Sequence, residues 1–278
     1  GLALRGLREP TSGADGPSLW RRPRRRREGE NASGASGGGR PTPLRDRPVA
    51  RGDLDALGGL LLREAVVRAV RDVAAGFRAV ELAGPGLQGV TFHPGDKLQV
   101  LLPGRDVRTF TPLRWDGEAG VTELLIYHHR PSGDPAPTPA TAWIRALAVG
   151  DRCRFVGPQR SLRLPGAGPV VLFGDETSGA VARAFAAVPG VELACVFETS
   201  GASELRAALG ASVDAPSLVP REPAEAHLPA LVDHLQAALA RRAGATLLLT
   251  GRAQAIQGVR AGLKARAVAA ASSNRAYW

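Results

Sequence analysis

The chain has no methionine, two cysteines and two tyrosines among 278 residues, and aromatic side chains make up 5% of it. Each scarcity narrows the function. Cys153 and Cys195 have no partner at metal-ligand spacing, which speaks against a zinc site or a disulfide framework. Both are expected to be small buried apolar residues of a protein in a reducing, cytoplasmic compartment. With no methionine anywhere, Gly1 is not read as a natural initiator. No apolar run approaches the roughly 18 residues needed to cross a bilayer, so no membrane span is expected. The N-terminus also lacks the order of charged, apolar and cleavable residues that marks a secretory signal.

Charge is plentiful, but it is concentrated. The formal net charge is +10, yet residues 1–51 carry twelve arginines against five acids, a net of +7, which leaves +3 for residues 52–278. That first stretch is built of Gly, Pro, Ser and Arg, with runs such as Arg24-Arg25-Arg26-Arg27 and Gly37-Gly38-Gly39. It buries too little apolar surface to offset the entropy of ordering it, so residues 1–51 read as a disordered tail. An arginine arm can also bind nucleic acid or anionic lipid through phosphates. The nearly neutral remainder argues against nucleic acid as the partner.

The pattern changes near Leu54. Leu60–Val73 and Phe77–Leu82 alternate apolar and polar residues as two antiparallel strands would, although Leu60–Ala75 could also be drawn as a helix. Lys97–Leu102, Arg108–Leu113 and Thr122–His129 follow between Gly and Pro turns, and Val149–Pro158 reads as a turn with the closing strand. Short strands so spaced predict a small antiparallel β barrel over 54–165. After Gly168 the period switches. Pro169–Phe173, Val191–Phe197 and Thr246–Thr250 are apolar strand runs, and Ala180–Val188, Ala202–Leu209, Glu222–Arg242 and Gln254–Arg266 have helical spacing. Strands alternating with helices predict an α/β domain with a parallel sheet over 168–278, its ligands at the carboxyl ends of the strands. Gly174–Ser178, Glu198–Gly201 and Gly251-Arg252 fall there.

The stretch that suggests chemistry is Arg108-Thr109-Phe110-Thr111. Strand alternation puts Arg108 and Phe110 on one face. A guanidinium fork binds phosphate, an aromatic face stacks on another ring, and the Thr111 hydroxyl can donate to a ring heteroatom. A phosphorylated, ring-bearing cofactor such as a flavin nucleotide satisfies all three. Downstream, a Pro-rich loop over 130–139 leads into Ala140-Thr141-Ala142-Trp143, where Thr141 stands as the N-cap of a short helix whose free amides make an anion site. Asp175 and Glu176 are expected as a helix cap and a first-turn partner of the helix dipole. His128 and His129, neighbours on a strand, face opposite sides and do not form a metal pair. His227 and His234 are expected at the surface.

In this order the pieces resemble the siderophore-interacting proteins, flavin-dependent ferric-siderophore reductases of the ferredoxin-reductase superfamily. The likeness runs from about Leu60 to Trp278. Arg108-Thr109-Phe110-Thr111 looks like the family's R-x-Y-T flavin motif. His129 through Ala140-Thr141-Ala142-Trp143 resembles its pyrophosphate-holding segment, Gly157-Pro158-Gln159-Arg160-Ser161 its G-P-R-G-S, Gly174–Ala180 its G-D-E-T turn, and Ala276-Tyr277-Trp278 its terminal G-Y-W. The resemblance implies FAD as the cofactor, with Arg108 on the phosphates, Phe110 against the isoalloxazine, Thr111 on its central ring nitrogen and the Thr141 and Ala142 amides on the pyrophosphate. Thr109, His129 and Trp143 belong to the same motifs. So do Asp175 and Thr177 in the sheet's first turn, under a nicotinamide dinucleotide, and Tyr277 and Trp278 at the terminus. It further implies that NADH or NADPH supplies the electrons and a ferric siderophore receives them, with a ferredoxin donor left open. No residue need act as acid or base, because the cofactors carry the reaction.

Departures from the family pattern bear on activity. Its W-A-G-E near the third parallel strand reads Leu249-Thr250-Gly251-Arg252, a base replacing an acid, and Arg252 becomes a candidate for binding an anionic siderophore. Gly179 stands where the family has Pro, Phe110 lacks the phenol, and the chain stops at Trp278 without the usual few residues beyond. A member that binds flavin or a ferric chelate without efficient nicotinamide turnover is therefore the alternative reading.

Overall fold

The computed structural model of the chain describes residues 62–128, 138–166 and 168–276. The expected tail over 1–51 and three of the candidate site residues, His129, Tyr277 and Trp278, lie outside the described residues.

Seven antiparallel strands build the first half: β1 (Arg63–Ala74), β2 (Phe77–Ala83), β3 (Lys97–Leu101), β4 (Val107–Phe110), β5 (Pro112–Asp116), β6 (Val121–Tyr127) and β7 (Arg152–Gln159). Their order in the sheet is β4-β3-β7-β1-β2-β6-β5. The helical alternative for Leu60–Ala75 fails because Ala65 and Val67 need one side buried while Glu64 and Val66 stay exposed, a period of two that only a strand provides. Ala74 pairs with Phe77, so β1 and β2 are joined by Ala75-Gly76 alone. Gly76 has φ +82°, and a Cβ there would lie 3.3 Å from the Tyr127 ring, so glycine alone suits the turn. A core of Val67, Leu82, Leu98, Val100, Leu124 and Phe155 fills the inside.

Two expectations change here. Arg108–Leu113 is not one strand: β4 pairs with β3 and β5 with β6, at opposite ends of the sheet order, and the chain bends from one to the other at Thr111. β7 does not close the barrel from an edge but lies between β3 and β1.

The second half is a five-stranded parallel sheet, β8 (Val170–Gly174), β9 (Leu193–Thr199), β10 (Ser217–Pro220), β11 (Thr246–Gly251) and β12 (Ala271–Ala276), in the order β10-β9-β8-β11-β12. Every residue of β8 is buried. Val170 and Leu172 face α2 (Gly179–Ala186) and α3 (Ala202–Leu209), while Val171 and Phe173 face α4 (Leu228–Ala240) and α5 (Ala253–Ala265). Helices on both faces explain the continuous apolar run of this strand. The expected helix over 222–242 begins later, at Leu228, after a single turn at Pro223–Glu225, and β10 and β12 add two strands that periodicity does not announce.

The two halves share a core. Phe77 and Leu125 from the barrel pack with Val181, Phe185, Leu205 and Leu209 from α2 and α3. Gly179, the first residue of α2, has φ −57° and ψ −35°, and a Cβ there would meet Leu205, Leu209 and Leu125 at 3.6–3.9 Å, ordinary contact. The φ of Gly179 is thus one that proline, fixed at about −65°, also adopts.

Candidate functional site

The barrel contributes a corner. Cross-strand neighbours share a face, and Arg108 and Phe110 lie opposite Val100 and Leu98, both core residues, so the expected alternation turns them inward together. Thr109 points the other way and is exposed, and Thr111, at the bend, is buried. Arg108 is half-buried. Its Nη1 donates to the carbonyl of Val107 at 2.9 Å, and among the described residues no carboxylate pairs with it. A desolvated guanidinium left with open donors is what a phosphate group needs.

Across the corner lies a short helix, α1 (Pro139–Ala146). Its N-cap is Thr138, not Thr141. Proline at the first helical position, with its fixed φ and missing N–H, starts the helix three residues earlier than expected. The Thr141 amide donates to the Thr138 hydroxyl oxygen at 3.2 Å and the Ala142 amide to the Thr138 carbonyl at 2.8 Å, so neither is free for an anion; Ala140 supplies the remaining first-turn N–H. Thr141 is buried, and its hydroxyl lies 3.0 Å from that of Thr138. Ile144 and Leu147 anchor α1 on the barrel core, and Arg78 of β2 donates to the carbonyls of Ile144 (2.6 Å) and Arg145 (3.2 Å), tying down the last turn. The result is a fixed place for Trp143, whose ring stacks on Phe110 with centroids 5.9 Å apart and planes 28° from parallel. An open guanidinium, a paired aromatic surface and a buried hydroxyl within one bend fit a flavin nucleotide.

The parallel sheet contributes its carboxyl edge, where strand order reverses between β8 and β11, the place at which sheets of this kind take a ligand in a crevice. Asp175 ends β8 and caps the next turn as expected, its Oδ1 accepting from the Thr177 amide at 2.9 Å and from the Thr177 hydroxyl. Its Oδ2 is buried without a partner. Burial pushes the Asp175 carboxyl above its ordinary value, against the hydrogen bonds from Thr177. Gly251 (φ +92°) closes over it, and a Cβ there would come within 2.7 Å of Oδ2.

Glu176 stands in the first turn, as expected, but its carboxylate has further partners. It crosses to the end of β9, where Oε1 accepts from the Ser200 amide (2.6 Å), the Ser200 hydroxyl (2.8 Å) and the Thr199 hydroxyl (3.1 Å), while Oε2 accepts from Nη2 of Arg221 (2.9 Å). Burial alone would raise its pKa. The Ser200 amide and Arg221 outweigh burial and hold the carboxyl below its ordinary value. The Tyr127 hydroxyl, from the barrel, also bonds Ser200.

Next to it, Arg252 is fully engaged. Its Nε and Nη2 donate to Oε1 and Oε2 of Glu198, both at 2.7 Å, and its Nη1 and Nη2 to the two oxygens of Glu225, both at 2.8 Å. His227, expected at the surface, is buried, its Nε2 2.8 Å from Glu198. The Glu222 amide donates to His227 Nδ1 at 3.3 Å, so Nε2 carries the proton toward Glu198. Ala224 (φ +53°) and Glu225 (φ +61°) both adopt left-handed backbone, a costly conformation for residues with side chains, and this turn aims Glu225 at Arg252. Spacing offered no signal for this cluster, since its members lie on three separate strand ends.

Cys153 and Cys195 are buried thiols, as expected, with burial pushing them up to about 11 and about 12. Among the described residues no helix is long and apolar enough to cross a membrane.

A barrel sheet followed by a parallel sheet in this order defines the ferredoxin-reductase-like fold. The solved structures that the chain is similar to bear this out. A siderophore utilization protein from T. fusca superposes with a TM-score of 0.60 at 22% identity, over 78% of this chain and 92% of that one. The siderophore-interacting protein of Aeromonas hydrophila gives 0.60 at 18% identity, over 78% and 98%. A ferredoxin-NADP+ reductase from Plasmodium falciparum gives 0.56 at 10% identity, over 78% and 96%. No family model matches the sequence, and no curated protein does.

Proposed function

We propose that the chain is a flavin-dependent oxidoreductase that passes electrons from NADH or NADPH to iron held as a ferric siderophore, which it binds as substrate. The observation that carries this reading is the corner at Arg108–Thr111, with open guanidinium donors and the stacked rings of Phe110 and Trp143, in a fold similar to that of the siderophore-interacting proteins. FAD, when bound, supplies the conversion of a two-electron hydride donor into single-electron transfers. Arg108 would hold its phosphates, the ring of Phe110 its isoalloxazine, and the Thr111 hydroxyl would donate to it. Thr109, exposed on the outer face, and Thr141, buried in the helix, support the backbone on which these groups sit. Asp175 and Thr177 shape the floor of the crevice that would receive the nicotinamide dinucleotide. One added electron weakens the hold of hard oxygen ligands on the metal, which releases it.

Arg252 favours a second reading, a member of the same fold with little nicotinamide turnover. All its nitrogens are spent on Glu198 and Glu225, so an anionic siderophore reaches it only if that cluster opens.

The test is the visible spectrum of the protein with added FAD, before and after anaerobic NADH or NADPH, and then after a ferric chelate. The first reading expects flavin bands that bleach and return. Bands that never bleach select the second, and no flavin binding removes the reading of Arg108–Thr111 and leaves a member that binds only a ferric chelate. Arg108→Gln should weaken flavin affinity roughly ten- to a hundredfold, the value of a charge-assisted hydrogen bond of about 1.5–3 kcal/mol. Unchanged affinity would take Arg108 out of the site.

A further inference from the structure

We infer that the crevice selects a dinucleotide without a 2′-phosphate, NADH over NADPH, because Glu176 already occupies the anion-binding position at the end of β9. This rests on the reading of the crevice as a nicotinamide dinucleotide site. In parallel sheets of this kind the adenosine ribose lies at the end of the second strand, where an acid favours a free 2′-hydroxyl and an arginine a 2′-phosphate. Here the second strand is β9, and the donors that a phosphate would use are the Ser200 amide and hydroxyl, the Thr199 hydroxyl and the Arg221 guanidinium.

All four point at one carboxylate, at 2.6–3.1 Å. Glu176 is 3% exposed and ionised there, its pKa held low by the same donors despite burial. The rest of the crevice holds further acids. Asp175 and Glu198 are both buried within it, and Arg221 also lies 3.8 Å from Glu198. The second arginine, Arg252, is bound by Glu198 and Glu225. A 2′-phosphate arriving at β9 would therefore have to expel an internal carboxylate from its donors. A ribose with two hydroxyls brings no charge to compete with that carboxylate.

The experiment uses the full chain loaded with FAD, mixed anaerobically with NADH or with NADPH, and reads the loss of flavin absorbance. The wild-type protein should favour NADH in kcat/KM by roughly tenfold or more, a difference of about 1.4 kcal/mol. Glu176→Gln keeps the side chain's shape, removes its charge and releases Arg221. It should shift the ratio of kcat/KM for NADPH over NADH by roughly the same tenfold factor toward NADPH.

Arg221→Gln is the second variant, at a position less enclosed than Glu176. Nη2 of Arg221 is held by Glu176 while its Nε is buried without a partner; with the carboxylate in place, loss of Arg221 should change NADPH use less than about twofold. A wild-type preference for NADPH, or a large loss of NADPH use alone in Arg221→Gln, overturns the inference. If neither nucleotide bleaches the flavin, the reductase reading fails, and calorimetric titration with 5′-AMP and 2′,5′-ADP then decides the selectivity by itself. Tighter binding of 5′-AMP upholds it; tighter binding of 2′,5′-ADP, or binding of neither, overturns it.

Discussion

Arginines pair with glutamates in two places, and the two pairings differ in kind. On the outer face of the barrel Arg68, Arg71 and Arg114 pair with Glu81 and Glu123, with more than half of each arginine side chain in solvent. At the sheet's edge Arg252 and Arg221 meet Glu198, Glu225 and Glu176, and Glu198 and His227 are 0% exposed. Similar residue types serve different ends. Water already solvates the arginines of the outer ladder, so these pairs contribute less and are screened by salt. The inner cluster has given up its water, and each member depends on the others. Arg108 is the third case, half-buried with no described carboxylate, and that contrast is why it, rather than Arg252, is the cation with donors to offer a ligand.

The largest expected effect follows from breaking the inner cluster. Glu198→Ala leaves Arg252 and His227 buried without their shared acceptor and should cost about 3–5 kcal/mol in denaturant unfolding. A loss no larger than that of an outer-ladder variant would erase the distinction.

A smaller effect, with a sign, comes from Asp175→Asn. Burial raises the folded carboxyl above 3.8, so the native state holds this proton more tightly than the unfolded chain. The wild-type protein therefore loses stability as pH rises from about 3.8 through the folded value. Asparagine cannot ionise, so the variant's melting temperature should gain on the wild type across that window and hold a constant lead above it. A gap that does not change with pH would mean that Asp175 ionises freely. Glu225 moves the opposite way: its bond to Arg252 holds its carboxyl low, so its contribution is present at neutral pH and fades as acid protonates it.

The smallest effect is at the outer ladder. Arg114→Ala should cost less than about 1 kcal/mol, and less still in high salt. A salt-independent loss of several kcal/mol would show that the ladder is not the solvated structure its exposure implies.

Much of this was legible in the sequence, and its limits have physical reasons. Period-two alternation announced β1, β2 and β6, and the change to continuous apolar runs announced β8, β9 and β11, because burial on one face or on both leaves its own pattern. β10 reads as Pro216-Ser217-Leu218-Val219-Pro220, and prolines at both ends mask a four-residue edge strand. β12, Ala271–Ala276, has almost no strand propensity and takes its form from lying beside β11. Thr141 reads as the N-cap because its hydroxyl precedes an apolar run, whereas Thr138-Pro139 carries the stronger start signal. His227 reads as a surface histidine from helical spacing alone, since its partner Glu198 lies 29 residues away. Local pattern reports burial and period. It does not report which charged groups find each other across strand ends.

The bend at Thr111 has a further consequence, for the order in which the molecule assembles. Residues two apart in the chain sit at the two outermost positions of a seven-stranded sheet, so the corner exists only once every strand between has paired. Those pairings include Arg63 with Phe155, a loop closure across most of the barrel, and such distant contacts form slowly. The corner that would receive a flavin is thus among the last parts of the barrel to form. A ligand that binds only the finished corner would act as a latch on the whole sheet, raising its unfolding free energy with ligand concentration.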